Sequence, residues 1–239
     1  MTMTHEPLRS GPLPDVTLDD LERDPELERL TQDTLAARLK LSFSDMREAT
    51  RRLIDENPTE PRLLFFVLMS DVIFFLNFGL KFVISPTGDS MSEALPREFA
   101  GAIGGLIVVC FILRTASLYV LSALVAGACR LIGGQGTWRD TRAGIFWASL
   151  VAAPIGVLGA LVVTAFGYLA PIAPIFGEPI LQMPAQLIGV VAFVFLVSAA
   201  VAEAHRFSRT SPVFISFSVF TVAVLLAALY VWGYVRDAL

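Results

Sequence analysis

The chain has 239 residues, of which 55% are hydrophobic and 17% are charged, and its formal net charge is −4. Soluble domains usually carry about 25% charged residues, so this composition argues against an ordinary soluble protein. The distribution of charge adds to that argument, because residues 1–62 hold 9 of the 18 Lys and Arg residues. Three later stretches have no charged residue at all: 143–177, 179–202 and 210–235. Each is long enough to cross a bilayer as a helix, which takes about 20 apolar residues.

Residues 1–61 are predicted to form a cytoplasmic tail that precedes the membrane domain. Residues 1–17 are rich in Pro, Thr and Gly and are expected to be disordered. The segment 24–41 has leucines near helical spacing, which predicts an amphipathic helix. A second short helix is predicted within 42–58, with Ser44 as its N-cap.

Three arginines of the second tail helix, Arg47, Arg51 and Arg52, flank its apolar side. Two interpretations fit this pattern. The helix could lie on an anionic membrane surface, where each basic residue contributes about 1 kcal/mol. Alternatively, it could pack on the cytoplasmic loops of the membrane domain.

The rest of the chain, residues 62–239, is predicted to be a five-span membrane domain. Its apolar runs are continuous rather than alternating, which excludes barrel strands of about 10 residues. The fold class is therefore all-α, a polytopic membrane protein with a bundle of five transmembrane helices and an N-terminal helical tail. The spans are predicted at residues 63–84, 99–128, 143–169, 184–202 and 213–235.

The basic residues predict the orientation of the bundle. With five spans, nine Lys or Arg residues near the membrane lie on the side of the N-terminus and three lie on the other side. Basic residues favour the cytoplasmic side. The N-terminus and the loop "RLIGGQGTWRDTR" (130–142) are therefore predicted to be cytoplasmic. The loop "APIAPIFGEP" (170–179) and the C-terminus are predicted on the opposite side.

Two charged residues lie inside predicted spans. Asp71 is eight residues inside the first span, and Arg114 is near the middle of the second. A single charge at the centre of a span costs about 2.5–3.5 kcal/mol on insertion scales, so opposite charges at similar depth predict an intramembrane pair. The pair could fix the register of the two helices, contribute to a solute or proton path, or contact a partner's helix.

A second candidate cluster lies where the fourth span ends, in the stretch "AEAHRF". Glu203 needs a partner there, because an unpaired carboxylate in a partly dry layer is costly. Arg130, Arg206 and Trp138 are the predicted partners, since all three lie at the same edge of the membrane. We expect His205 to sit at the level of the lipid headgroups. The cluster could simply fasten the helix ends, or it could be a docking site.

Small residues in the spans indicate close helix packing. Gly101 and Gly105 form a G-x-x-x-G pattern, and Gly156 and Ala160 repeat the spacing. Pro154 is expected to kink the third span, because proline removes a backbone donor.

The sequence contains no motif for a familiar class of active site. There is no phosphate-binding loop, nucleophile elbow, HExxH motif or paired-cysteine metal motif. Two histidines cannot form a multi-histidine metal site. We therefore expect no enzyme activity, no metal and no cofactor.

Three segments stand out: "DMREATRRLIDENPTEPRLLFFVLMSDVIFF" (45–75), "CRLIGGQGTWRDTRAGIFWASLVAAP" (129–154) and "FLVSAAVAEAHRFSRTSPVFISF" (195–217). Together they resemble the bacterial branch of the Yip family, whose eukaryotic members bind Ypt/Rab GTPases. The fourth span closes on Glu203, His205 and Phe207, similar to a Glu-x-His-x-Phe pattern of that family. The segment Gly133–Asp140 is similar to its Gly-Gly-x-Gly-(Ser/Thr)-aromatic turn with a following Asp. The resemblance covers roughly residues 43–235. It implies a five-span membrane scaffold with a cytoplasmic N-terminus, and a bacterial inner-membrane setting.

The leading functional hypothesis is a non-enzymatic membrane scaffold or accessory subunit. We expect it to bind membrane lipid and other integral membrane proteins or a second copy, and no nucleic acid. The alternative is a small-solute or ion transporter that uses Asp71 and Arg114.

Overall fold

The computed structural model describes residues 34–84 and 96–238, and all regular structure in those ranges is helical. The disorder expected for residues 1–17, and the part of the first predicted helix before residue 34, lie outside these ranges. The elements are α1 (Leu35–Ser44), α2 (Met46–Asp55), α3 (Glu60–Ile84), α4 (Pro96–Ile107), a π-helical segment (Val108–Leu113), α5 (Arg114–Leu131), α6 (Trp138–Leu169), a short 3-10 helix (Pro174–Gly177), α7 (Pro179–Ala204) and α8 (Ser211–Ala238).

Within the described ranges, five helical stretches are long and apolar enough to cross a membrane, which confirms the predicted fold class. They are Glu60–Phe78, Ile103–Leu131, Trp138–Leu169, Pro179–Ala204 and Ser211–Val231. The second span is built from α4, the π-helical segment and α5. The helix of the third span continues through Pro154, so the expected distortion does not interrupt it.

The most tightly packed part of the bundle lies where the first half of α6 meets the last half of α7. Buried residues run without a break through Ala143–Ala152 of α6 and through Leu196–Ala202 of α7. Many of them are Ala, Gly or Ser, which let helix backbones approach closely. Gly144 is one contact point, since a Cβ on it would lie 3.3 Å from Ala200 Cβ. We call this part of the molecule the packed end.

The helix α2 covers the packed end. It buries Met46, Ala49, Thr50 and Leu53 and contacts α6 and α7. The compact unit that holds the spans accordingly comprises Leu41–Leu239, whereas the sequence placed the boundary at residue 61. The apolar side of α2 explains the difference, because burying it joins the helix to the membrane domain.

The N-cap of α2 is Asp45, not Ser44 as predicted. The Asp45 carboxylate accepts a hydrogen bond from the Glu48 N–H at 3.0 Å, and Asp45 has the extended backbone of a cap. Ser44 is the last residue of α1, and its hydroxyl donates to the Leu41 carbonyl at 2.9 Å.

Candidate functional site

The structure brings Asp71 and Arg114 together inside the bundle. Asp71 is completely buried, and the Arg114 guanidinium donates to one of its carboxylate oxygens. The Thr115 hydroxyl donates to the other oxygen. A charge buried this deeply is tolerable only when it is paired and hydrogen-bonded, and both conditions hold here.

The second guanidinium nitrogen of Arg114 bonds to two serines that the sequence analysis did not single out. It lies 2.8 Å from Ser70 Oγ and 2.7 Å from Ser149 Oγ. The network therefore joins α3, α5 and α6, three of the five spans. A sequence signal was present, because Ser70 and Thr115 each adjoin a charged residue in an otherwise apolar run.

The two segments that resemble family motifs meet at the packed end. The turn after α5 and the turn after α7 are joined by the Gln135 N–H, which donates to the His205 carbonyl at 3.2 Å. Both helices end with the same hydrogen bond, from the N–H of a residue in the following turn back to a carbonyl in the last helical turn. The Gly134 N–H donates to the Cys129 carbonyl at 2.8 Å, and the Phe207 N–H donates to the Ala202 carbonyl at 2.8 Å. We call this contact between the two turns the junction.

Each turn of the junction contains a residue with a left-handed backbone. In the first turn it is Gly133, at φ +90°, and in the second it is Arg206, at φ +57°. Glycine adopts this conformation without strain, whereas a Cβ makes it unfavourable. Arg206 is thus held by the surrounding contacts, and its side chain is exposed.

His205 lies under the loop at the junction, covered by protein, and its predicted level relative to the lipid headgroups stays a prediction. It is 1% exposed, because Gly134 and Gly136 pack directly on its ring. A Cβ on Gly134 would come within 2.7 Å of His205 Nδ1, and one on Gly136 would collide with the Ala204 carbonyl oxygen. Gly134 and Gly136 are therefore required by the space that the histidine and the end of α7 occupy.

The hydrogen bonds of His205 define its tautomer. The Thr141 hydroxyl lies 2.8 Å from His205 Nε2 and donates to the Thr137 carbonyl at 2.9 Å. The hydroxyl of Thr141 has one proton, which it donates to the Thr137 carbonyl. His205 Nε2 must therefore carry the hydrogen of the imidazole and donate it to the Thr141 hydroxyl oxygen. His205 Nδ1 has no hydrogen-bond partner in the described part of the chain. Burial, and then the positive charge of Arg130, lower the pKa of His205 below its usual value, and Asp140 opposes this shift.

Glu203 pairs with α2 rather than with the predicted residues. Arg47 Nε lies 2.9 Å from one carboxylate oxygen, and Arg51 Nε lies 2.7 Å from the other. Arg47 also donates to the Phe207 carbonyl at 2.8 Å, so it holds the turn after α7 as well as the carboxylate. The hydrogen bond and the charge of Glu203 raise the pKa of Arg51.

The three predicted partners of Glu203 lie elsewhere. Arg130 Nε is 3.4 Å from the Gly136 carbonyl, and the Arg142 guanidinium stacks over the Trp138 ring at 4.6 Å. Arg206 is exposed at the left-handed position. The prediction was wrong because it considered only the loops at that edge of the membrane, whereas Glu203 faces α2.

The interpretation that α2 packs on the membrane domain agrees with the structure. Its apolar side faces α6 and α7, and Arg47 and Arg51 engage Glu203. Arg52 forms an ion pair with Glu48 on the same helix, at 2.8 Å. All three arginines are therefore paired with carboxylates of the protein, which weakens any attraction between them and anionic lipid headgroups.

The start of α6 is fastened to the start of α3 by two arginines whose role the sequence did not reveal. Arg142 is buried, pairs with Glu60 and stacks on Trp138. Arg139 donates to the Pro58 carbonyl at 2.6 Å. The helix itself starts at a capping box, in which Thr137 and Asp140 exchange hydrogen bonds.

In the part of the chain that the structure describes, no group of three or more His, Cys, Asp or Glu residues is placed to hold a metal ion.

The family model of the Yip1 domain matches residues 40–231. The match covers the junction, Glu203 and the Asp71–Arg114 network. No curated protein and no solved structure matches the chain.

Proposed function

Because this chain belongs to the Yip1 domain family and is an integral membrane protein, we propose that it is a non-enzymatic scaffold or accessory subunit that binds other membrane proteins. The glycine face of α4 carries the proposal. A Cβ added at Gly101 or Gly105 would meet no described atom within 4 Å. Glycine in a helix costs about 0.5–1 kcal/mol relative to Ala, and its usual benefit in a span is close approach of another helix. That helix would come from a partner or from a second copy.

The packing of α8 supports the same proposal. Only 6% of its apolar stretch is buried, against 44% for α7, and α7 is the main helix that it contacts. Its alanines Ala223 and Ala227 repeat the small-x-x-x-small spacing on an exposed surface. A span attached to the bundle along one side has its other sides available for the helices of a partner.

The proposal is tested by extracting the protein in mild detergent and measuring native masses and co-purifying proteins. Gly105→Leu should reduce the assembled species without lowering thermal stability, because there is room for the side chain. Gly127→Leu is the matched control, since that glycine of α5 also faces open space. A species that stays monomeric and free of protein partners under all mild conditions would contradict the proposal.

We also propose a bacterial inner membrane as the location, with the packed end in the cytoplasm. The excess of basic residues on the side of the N-terminus supports this orientation. Cysteines introduced as Gln135→Cys and Gly177→Cys, in a chain lacking Cys110 and Cys129, should react with an impermeant reagent from opposite sides. Labelling of both positions from one side would overturn it.

Transport of a small solute or ion is the second candidate. One observation favours it: the Arg114 side chain is 19% exposed and follows the π-helical segment, a feature that is frequent at functional sites. The hydrogen bonds from Arg114 to both serines favour a static role instead. Flux through the reconstituted protein that disappears in Asp71→Asn would establish transport over the scaffold.

A further inference from the structure

A groove of about 580 Å³ lies between the end of α5 and the start of α8. Its volume falls in the range of about 300–1,000 Å³ that is usual for sites of small ligands. Its walls are almost entirely apolar and include Leu121, Leu124, Val125, Val213, Phe217 and Phe220. Of these, Leu124 and Phe220 are the most exposed, at 63% and 53%.

One end of this groove is positively charged. Arg209 and Ser208 line it. Arg130 is adjacent to the lining residue Cys129, although its Nε is directed to the Gly136 carbonyl at 3.4 Å. Among the described residues, neither arginine has a carboxylate partner. Glu203 precedes Arg209 closely in the sequence, but its carboxylate is already bonded to two arginines of α2.

The backbone adds to the positive potential at that end. The helix α8 begins at Ser211, two residues after Arg209. The first N–H groups of a helix carry partial positive charge and favour anions. The groove therefore has an apolar part along two spans and a cationic part at the membrane edge.

We propose that this groove binds an anionic phospholipid, with an acyl chain against α5 and α8 and the phosphate at Arg209. The arrangement of charge selects this occupant. A partner's transmembrane helix could cover the apolar walls, but it would leave the arginines without a counter-charge. A free phosphate would use the arginines and leave the apolar walls empty. This inference adds a lipid ligand to the proposed scaffold and does not require a protein partner.

Native mass spectrometry of the full-length protein, released from mild detergent, tests the proposal. Phosphatidylglycerol, phosphatidylcholine and glycerol 3-phosphate are titrated separately. Both lipids carry a phosphate, but the choline of phosphatidylcholine adds a positive charge beside Arg209. We therefore expect phosphatidylglycerol to bind at least about ten-fold more tightly than phosphatidylcholine. Glycerol 3-phosphate should bind much more weakly than the whole lipid, because it has no acyl chain.

Two pairs of variants examine the two parts of the groove. Arg209→Gln should weaken phosphatidylglycerol binding by about ten-fold, whereas Arg52→Gln, which removes an exposed arginine of α2, should not. Ser216→Phe should block the groove. Ser117→Phe is its control, because both serines are exposed and bond to a carbonyl four residues earlier, but only Ser216 lines the groove.

Three results would overturn the proposal. The first is equal binding of both lipids that Arg209→Gln does not change, which would indicate ordinary surrounding lipid. The second is binding of glycerol 3-phosphate as tight as that of the lipid, which would indicate an anion site alone. The third is a dimer that Ser216→Phe dissociates with no lipid bound, which would make the groove a protein interface. Because these measurements use the purified chain, they are independent of the co-purification that tests the scaffold.

Discussion

Arg47 Nε lies 2.9 Å from Glu203 Oε2, which connects a helix outside the apolar spans to the end of the fourth span across 156 positions of sequence. The carboxylate side chain is 9% exposed and the arginine side chain is 32% exposed, so the pair is only partly screened by solvent. The same arginine donates to the Phe207 carbonyl. One guanidinium therefore contributes both to the position of α2 and to the shape of the turn after α7.

We predict that Glu203→Gln loosens α2 from the packed end. The loss of a partly buried charge-assisted hydrogen bond should lower the free energy of unfolding by about 1–3 kcal/mol. Hydrogen exchange should rise in Met46–Asp55 more than in the spans. Glu48→Gln is the control, because it removes a carboxylate that pairs with exposed arginines of the same helix. Unchanged exchange in α2 would show that apolar packing alone holds the helix.

We predict that removing one member of the Asp71–Arg114 pair is worse than removing both. Asp71→Leu leaves the partly buried Arg114 guanidinium without its carboxylate, which costs up to about 3–5 kcal/mol, whereas the double replacement with Leu can be nearly neutral. Thermal unfolding of the two single variants and the double variant in detergent measures the coupling. Additive losses would mean that the two charges do not stabilise each other.

We predict that Arg206→Gly stabilises the protein. Its left-handed backbone at φ +57° suits glycine, and relieving the strain should raise the unfolding free energy by about 0.5–1 kcal/mol. Arg206→Ala is the control, because it removes the same charge but keeps the Cβ. A gain with alanine equal to that with glycine would assign the effect to charge instead of backbone.

We predict that acid weakens the junction through His205. The pKa of His205 is lowered in the folded protein. Below its usual pKa of about 6.5, the histidine is therefore protonated in the unfolded chain but stays largely neutral in the folded chain. Stability should therefore fall as the pH drops from about 7.5 to about 5.5, by at most about 1.4 kcal/mol per pH unit from this one group. Arg130 and Asp140 are the charged groups that act on it.

The control for this pH dependence is His205→Gln, which keeps a polar group near Thr141 but does not titrate. The variant should lose the part of the slope over that pH range that comes from the histidine. If its slope equals that of the parent protein, other groups cause the acid effect.

We predict that Gly136→Ala disrupts the junction while Gly127→Ala does not. A Cβ at Gly136 would collide with the Ala204 carbonyl oxygen, which belongs to backbone and cannot swing away. Overpacking of this kind typically costs about 1–3 kcal/mol. At Gly127 no described atom lies within 4 Å, and alanine is the better helix former there. Equal melting temperatures for the two variants would show that the turn can adjust.

The sequence alone determined the number of spans and the class of fold. Hydrocarbon solvates no backbone polar group, so a run of about 20 apolar residues has to be helical, wherever its neighbours lie. The same solvent argument predicted a partner for Asp71, because an isolated charge in a span is costly and Arg114 was the opposite charge at a similar depth. The same argument could not identify Ser70, Thr115 and Ser149 as members of the network. A hydroxyl in a helix can bond to its own backbone and so does not require a distant partner.

Only the tertiary structure decided which groups meet at the packed end. Glu203 was expected to need a partner, but several arginines were equally near the membrane edge in sequence, and the one helix that reaches it was predicted as part of a separate tail. The burial of His205 depended on two glycines from another turn, whose missing side chains leave room for its ring. The local sequence shows that a charge at the membrane edge needs a partner and that a large ring needs space. Which residue supplies the partner or the space is decided by how distant helices and turns pack together.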